Sequence, residues 1–124
     1  SGYRPYKIQK CIFEMEVRQK GEELANTTVA YPGQSEHQTG LAMDITRKSA
    51  PYLLDYSFGQ TPEGIWLYKN CHKYGFIVRY PEGKEDITGY SYEPWHIRYV
   101  GRDVAHYLYE NNLALEEFFT DYED

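Results

Sequence analysis

Turn-forming residues divide this chain into short segments, and this division constrains its fold more than any other feature of the sequence. Tyr31-Pro32-Gly33 and Pro81-Glu82-Gly83 are turn signals, and Gly75 stands where a glycine ends a helix. Between the turns, apolar residues recur either at helical spacing or in the short continuous runs typical of strands. We therefore expect one small domain of several short helices and strands over residues 1–124.

The apolar periodicity predicts where these elements lie. The predicted helices span 5–18, 62–74 and 103–110, with shorter helical turns at 21–25 and 115–119. The predicted strands span 41–45, 76–80 and 95–100. Helices and antiparallel strands alternate too irregularly for a doubly wound sheet, so the predicted fold class is α+β. The acidic end of the chain, 116–124, is predicted to be a solvated helix with a frayed terminus.

Charge and cysteine content argue against several classes of protein. Lys and Arg number 13 against 19 Asp and Glu, and the resulting net charge of −6 disfavours binding to nucleic acid. No apolar run approaches the roughly 18 residues that a membrane span needs. Cys11 and Cys71 are too few for a disulfide scaffold, and we expect small buried thiols, with a disulfide as the alternative. Because the chain opens with Ser1 and has no initiator Met, we expect a domain cut from a longer protein.

Two segments concentrate polar side chains within apolar surroundings, at 35–44 and 93–99. Asp44 lies between Met43 and Ile45 in a run that we expect to be buried, where a lone carboxylate is costly unless it is paired or bound to a metal. His96 follows Trp95 in the second segment. These positions therefore mark the candidate site.

His37, Asp44 and His96 together offer two imidazoles and one carboxylate, a ligand set that suits Zn²⁺ and leaves its fourth position open. Glu93, three residues before His96, could serve as a general base, provided that a bend at Pro94 turns it to the same side of the strand. In the alternative interpretation, Asp44 caps a turn and the two histidines are hydrogen-bonded core residues. The spacing alone leaves both interpretations open.

Longer motifs carry a family resemblance. The sequence S-E-H-Q-T-G-L-A-M-D, from Ser35, resembles the S-x-H-x-x-G-x-A-x-D motif of zinc D,D-carboxypeptidases of the VanY type. E-P-W-H-I-R-Y, from Glu93, resembles their second motif, E-x-W-H-x-R-Y, and the opening S-G-Y-R-P is similar to a segment that precedes a helix in these enzymes. Lys73-Tyr74-Gly75-Phe76 and Arg79-Tyr80-Pro81 also fit the family.

The resemblance implies a small, mainly antiparallel sheet flanked by helices around a central zinc ion. It implies that His37, Asp44 and His96 are the ligands of one Zn²⁺ and that Glu93 is the catalytic base. Arg4 is expected to act in catalysis as well, by stabilising negative charge on the substrate. The expected substrate contacts are Arg4, Gln9, Ser35, Tyr90 and Trp95. Arg98 shares a strand face with His96, and we expect it to support the site by orienting Asp44, with substrate contact as the alternative.

The implied function is hydrolysis of the terminal D-alanine from peptidoglycan stem peptides by a zinc-dependent D,D-carboxypeptidase. An L,D-carboxypeptidase, a D,D-dipeptidase and a non-catalytic, zinc-stabilised cell-wall-binding module are the alternatives. We expect the selective contacts in the loop 50–60 and near Tyr90. We also expect a monomer that acts on stem peptides or their precursors outside the cytoplasm, with a cytoplasmic location as the alternative.

Overall fold

An antiparallel sheet lies at the centre of the molecule. The computed structural model describes residues 2–50 and 53–122. Within these ranges, three strands form one sheet: β1 (Ala42–Asp44), β2 (Phe76–Tyr80) and β3 (Glu93–Tyr99). β3 occupies the middle and pairs antiparallel with both neighbours. Together with the helices around it, this sheet confirms the predicted α+β class.

Short helices connect and flank the strands. The α-helices are α1 (Tyr6–Lys20), α2 (Glu22–Thr28), α3 (Pro62–Asn70), α4 (Glu85–Thr88), α5 (Arg102–Glu110) and α6 (Leu115–Tyr122). Single turns of 3₁₀ helix span Glu36–Thr39, Tyr56–Gln60 and Cys71–Tyr74. In the part of the chain that the structure describes, no helix has both the length and the apolar character needed to cross a bilayer.

The register of the sheet sorts its side chains onto two faces. Asp44 pairs with His96, so these two residues share one face, while Val78 pairs with Ile97 on the other. Ile97 packs with Phe58, Leu67 and Cys71, which join the sheet to α3. On the face that carries His96, Ile77 packs against Ala105 and Leu108 of α5. The two apolar clusters therefore fix the sheet from both sides and hold the Asp44–His96 pair in place.

Local signals account for the best-predicted helix. Thr61 caps α3 by accepting a hydrogen bond from the Gly64 amide at 3.1 Å, and Pro62 occupies the first turn. The 3₁₀ turn after α3 ends at Gly75, whose φ of 89° lies in the left-handed region that favours glycine. The predicted start and end of this segment are therefore confirmed.

Several sequence-based predictions need correction. Residues 22–28 form a complete helix where only a turn at 21–25 is predicted, and Leu115–Tyr122 extends the predicted short turn into a helix. β3 begins at Glu93, two residues before the predicted strand. Cys11 is exposed rather than buried, because it lies on the outer side of α1, whereas Cys71 is buried as expected. Both thiols are free, so the alternative of a disulfide is wrong.

Candidate metal centre and active-site cleft

His37, Asp44 and His96 converge on one point, although they come from three separate elements. One ligand atom from each residue lies within 4.8 Å of those of the other two, and all three side chains are buried. His37 lies in the 3₁₀ turn that Ser35 caps, with the Ser35 hydroxyl accepting a hydrogen bond from the His37 amide. Asp44 ends β1 directly opposite His96 on β3. The sheet register therefore creates this cluster.

Hydrogen bonds behind the two imidazoles orient their rings. His37 Nδ1 lies 2.8 Å from the carbonyl oxygen of Gly2, which can only accept, so the proton resides on Nδ1. His37 Nε2 is then directed at Asp44 Oδ1, which lies 3.2 Å away. In His96 the two ring nitrogens exchange these roles. Its Nε2 lies 3.1 Å from Glu36 Oε2, and its Nδ1 points toward Asp44 Oδ1 at 3.7 Å.

This donor set fits a zinc ion. Two imidazole nitrogens and one carboxylate oxygen are ligands that Zn²⁺ accepts, and three protein ligands leave a coordination position open for water or substrate. The backing of each ring by a carbonyl or a carboxylate is the usual arrangement of metal-binding histidines. Within the described residues, this is the one group of His, Cys, Asp and Glu side chains with such geometry.

Glu93 lies beside the cluster. Its Oε2 is 3.3 Å from His96 Nδ1, although an even alternation along β3 would send residues 93 and 96 to opposite faces. The pairing of β2 with β3 is irregular between Val78 and Tyr80, and this irregularity brings Glu93 to the side of His96. Burial raises the pKa of the Glu93 carboxyl, against the opposing hydrogen bond with His96.

Arg4 reaches the same point from the start of the chain. Its Nη2 lies 3.4 Å from Asp44 Oδ2, and its Nη1 donates to Gln9 Oε1 at 2.9 Å. The backbone amide of Arg4 donates to the carbonyl of His37 at 2.8 Å. Gln9 is only 1% exposed, and its amide nitrogen donates to the carbonyl of Ala30 at 2.7 Å. Gln9 also lines the cleft, so its substrate contact stays a prediction, and these contacts give it a further role in holding Arg4.

Glu36 contacts the candidate site, although the sequence analysis did not single it out. Besides bonding His96, it accepts hydrogen bonds through Oε1 from Arg79 at 2.5 Å and from Arg98 at 2.9 Å. Burial alone would raise the pKa of Glu36, but the hydrogen bond with His96 and the charge of Arg79 outweigh it and lower this pKa to about 2. Arg98 therefore contacts the cluster through Glu36, and its predicted role in orienting Asp44 stays a prediction.

A cleft of about 470 Å³ opens onto the cluster. Arg4, Ser35, Glu93 and the three candidate ligands line it, together with Tyr90 and Trp95, which the sequence predicts as substrate contacts. Tyr90 stacks on Tyr80 with 4.6 Å between ring centroids. From the predicted selectivity loop 50–60, Leu54, Asp55 and Tyr56 line the cleft, while residues 51 and 52 lie outside the described residues. The structure thus brings the predicted site residues together around one opening.

Comparison with known proteins agrees with this geometry. The family model described as VanY, D-alanyl-D-alanine carboxypeptidase, matches residues 1–102. The chain belongs to the VanY family. A putative carboxypeptidase, YodJ, of Bacillus subtilis (strain 168) is 58% identical over 119 residues, which cover 96% of this chain and 44% of YodJ. A D-alanyl-D-alanine carboxypeptidase of Enterococcus faecium is 40% identical over 118 residues, covering 95% of this chain and 34% of that protein. The chain thus spans less than half the length of these two relatives.

Solved structures show the same fold. The LdcB LD-carboxypeptidase superimposes with a TM-score of 0.87 at 57% identity, covering 97% of this chain and 56% of LdcB. VanYB in complex with D-alanine-D-alanine gives a TM-score of 0.85 at 39% identity, covering 97% of this chain and 68% of VanYB. A mutant of a vancomycin resistance D,D-pentapeptidase VanY in complex with Zn(II) gives a TM-score of 0.84 at 39% identity, covering 96% of this chain and 68% of that protein. The structures that this chain resembles thus include an LD-carboxypeptidase and a D,D-pentapeptidase.

Proposed function

We propose that this chain is a zinc-dependent D,D-carboxypeptidase domain that removes the terminal D-alanine from peptidoglycan stem peptides. The observation that carries the proposal is the convergence of His37, Asp44 and His96 within 4.8 Å, with the buried carboxylate of Glu93 beside them. A purely structural metal site has no use for an additional carboxylate next to an open coordination position. This argument disfavours the alternative of a non-catalytic binding module.

One Zn²⁺ held by His37, Asp44 and His96 would act as a Lewis acid that polarises the scissile carbonyl and lowers the pKa of water. The chain prepares these ligands by fixing each ring before any ion binds. Gly2 fixes the tautomer of His37, and Glu36 orients His96. Because the ligands are positioned in advance, little ordering remains to oppose metal binding.

The Glu93 carboxylate would take a proton from the attacking water and later donate it to the departing amine of D-alanine. Burial of Glu93 raises the pKa of its carboxyl, which makes the carboxylate a better proton acceptor than an exposed glutamate. One residue can then serve as base in the first step and as acid in the second. Its contact with His96 holds the carboxylate on the cleft side of β3.

The Arg4 guanidinium would bind negative charge on the substrate, either on the terminal carboxylate or on the carbonyl oxygen as the tetrahedral state forms. A planar guanidinium suits a carboxylate because it can donate two parallel hydrogen bonds. Arg4 lines the cleft and is fixed by Gln9 and Asp44, so it is already oriented when the substrate arrives. Tyr90 and Trp95 would contact the remainder of the peptide.

The test is mass spectrometry of a synthetic stem pentapeptide ending in D-Ala-D-Ala, incubated with zinc-loaded protein. We expect loss of one alanine, and we expect a chelator to abolish the loss until zinc is added back. Cleavage that a chelator does not affect would contradict the metal dependence. An intact pentapeptide would contradict the D,D-specificity.

An L,D-carboxypeptidase is the second candidate, and a specific observation favours it. The chain is 57% identical to the LdcB LD-carboxypeptidase but 39% identical to VanYB. Parallel assays with the pentapeptide, the stem tetrapeptide and free D-Ala-D-Ala separate the D,D-carboxypeptidase, the L,D-carboxypeptidase and the dipeptidase. For each of these activities, we propose a monomer acting on cell-wall peptides outside the cytoplasm.

A further inference from the structure

A chain of ion pairs links the C-terminal helix to the candidate metal centre. Arg79, on β2, lies between two carboxylates from distant parts of the sequence. Its Nε donates to Glu36 Oε1 at 2.5 Å, and its Nη1 donates to Glu116 Oε1 on α6 at 2.6 Å. The Arg79 and Glu36 side chains are only 13% and 10% exposed, and that of Glu116 is 32% exposed. The linkage is therefore mostly shielded from water.

Glu36 connects this chain of ion pairs to a metal ligand. Oε1 of Glu36 accepts from Arg79 and Arg98, and its Oε2 lies 3.1 Å from Nε2 of His96. Since both carboxylate oxygens are engaged, the orientation of the Glu36 carboxylate sets the ring orientation of His96. The orientation of Glu36 depends in turn on where Arg79 is held.

We propose that Glu116 is a positioning residue for the metal centre, which acts through Arg79 and Glu36 to fix the ring of His96. This inference rests on the metal site of the proposed function. Glu116 lies beyond residue 102, where the match to the VanY family model ends, so the family match does not account for it. It also corrects the expectation that the acidic end of the chain is merely a solvated helix.

The physical reason is the shape of the guanidinium group. A guanidinium presents its donors along fixed edges, and a carboxylate on each of two edges holds the plane in a single orientation. Without the Glu116 charge, Arg79 keeps one ionic partner and gains freedom to rotate about its bond to Glu36. Because Arg79 holds Glu36 and Glu36 holds His96, the His96 ring then samples a wider range of orientations. A less well-ordered ligand binds metal more weakly.

The neighbouring residue Glu117 provides a matched control. It lies in the same turn of α6 but contacts Lys84 and the amide of Ala114 instead of Arg79. Glu116→Gln and Glu117→Gln remove the same charge from the same helix end, so their effects on net charge and on the helix dipole are alike. A difference between the two variants therefore reports the contact with Arg79.

The experiment measures the Zn²⁺ affinity of the full chain by competition with a chromophoric chelator, and the visible spectrum of the Co²⁺-substituted protein. Loss of the group that accepts a hydrogen bond from a metal-bound histidine lowers metal affinity about 10- to 100-fold, and we expect this loss for Glu36→Leu, which has no acceptor. Glu116 acts one step further away, so we expect about a fivefold loss for Glu116→Gln, with an altered Co²⁺ spectrum. Glu117→Gln should match the wild type in both measurements.

A double variant separates positioning from loss of stability. When Glu36→Leu, which has no acceptor, has already removed the link to His96, adding Glu116→Gln should cause no further loss of affinity. Unchanged affinity and Co²⁺ spectrum in Glu116→Gln, an equal loss in Glu117→Gln, or additive losses in the double variant would each overturn the proposal. A wild-type chain that binds Zn²⁺ but cleaves no peptide overturns the proposed function alone. A wild-type chain that binds no Zn²⁺ overturns both.

Discussion

Replacing Gln9 with leucine should weaken both the stability of the fold and the hold on the substrate. Gln9 is 1% exposed and joins two elements, accepting a hydrogen bond from Arg4 and donating one to the carbonyl of Ala30. Leucine has a similar size but supplies neither group, so the Ala30 carbonyl and one Arg4 donor lose their partners. A hydrogen bond to a charged group contributes about 1.5–3 kcal/mol and a neutral one about 1 kcal/mol, so the expected loss is about 3 kcal/mol.

For a domain of this size, such a loss corresponds to a fall in the melting temperature of about 10 °C. Because Arg4 is released toward solvent, KM for the stem peptide should rise about tenfold, while kcat changes less. The matched variant Gln9→Glu keeps an acceptor for Arg4 but places an oxygen against the Ala30 carbonyl, so it should lose stability while preserving KM. Thermal unfolding and steady-state kinetics measure the two effects. A normal KM in a folded Gln9→Leu variant would refute the role assigned to Gln9.

Three further predictions concern other residues. Glu93→Gln should keep zinc binding and lower turnover about 10²- to 10⁴-fold, and near-normal turnover would remove Glu93 from the mechanism. Burial lowers the pKa of His72 in the folded protein, so as the pH falls the unfolded chain takes up a proton at this residue before the folded chain does. The free energy of unfolding should therefore decrease as the pH drops below about 6.5. Chemical denaturation should show a smaller decrease for His72→Phe, which preserves the stacking on Tyr109. Burial raises the pKa of the Cys71 thiol to about 11, so at pH 8 a thiol reagent should label only Cys11 in the native protein and both cysteines in denaturant. Two labelled thiols in the native state would contradict the packing around Cys71.

The strand pattern and the motifs pointed to three residues that the structure brings together, namely His37, Asp44 and His96. Asp44 stands in a short apolar run, and such a run becomes a strand whose charged residue requires partners. The antiparallel register then places His96 opposite Asp44. The position of Glu93 could not be derived in this way, because it depends on an irregularity in pairing with β2 rather than on the alternation within β3.

The ion pairs of Arg79 with Glu36 and Glu116 could not be predicted, for a different reason. Arg79 is separated by 43 residues from Glu36 and by 37 from Glu116, and no local period relates positions so far apart. Local signals also fail for α2, whose sequence E-E-L-A-N-T-T has too few apolar residues to show helical periodicity. α2 forms next to α1 because the two helices pack together.

The two histidines of the candidate centre are supported in physically different ways. His37 is backed by the backbone carbonyl of Gly2, a neutral group whose position depends on how the start of the chain lies along the 3₁₀ turn. His96 is backed by the charged carboxylate of Glu36, which increases the basicity of a metal-bound imidazole more than a carbonyl does. The charge that makes Glu36 the stronger support also makes its burial costly, and Arg79 and Arg98 offset this cost. Because a carboxylate rather than a carbonyl hydrogen-bonds to His96, two guanidinium groups are needed to balance its charge. One of them, Arg79, also binds Glu116, so the ion pairs extend from His96 as far as α6.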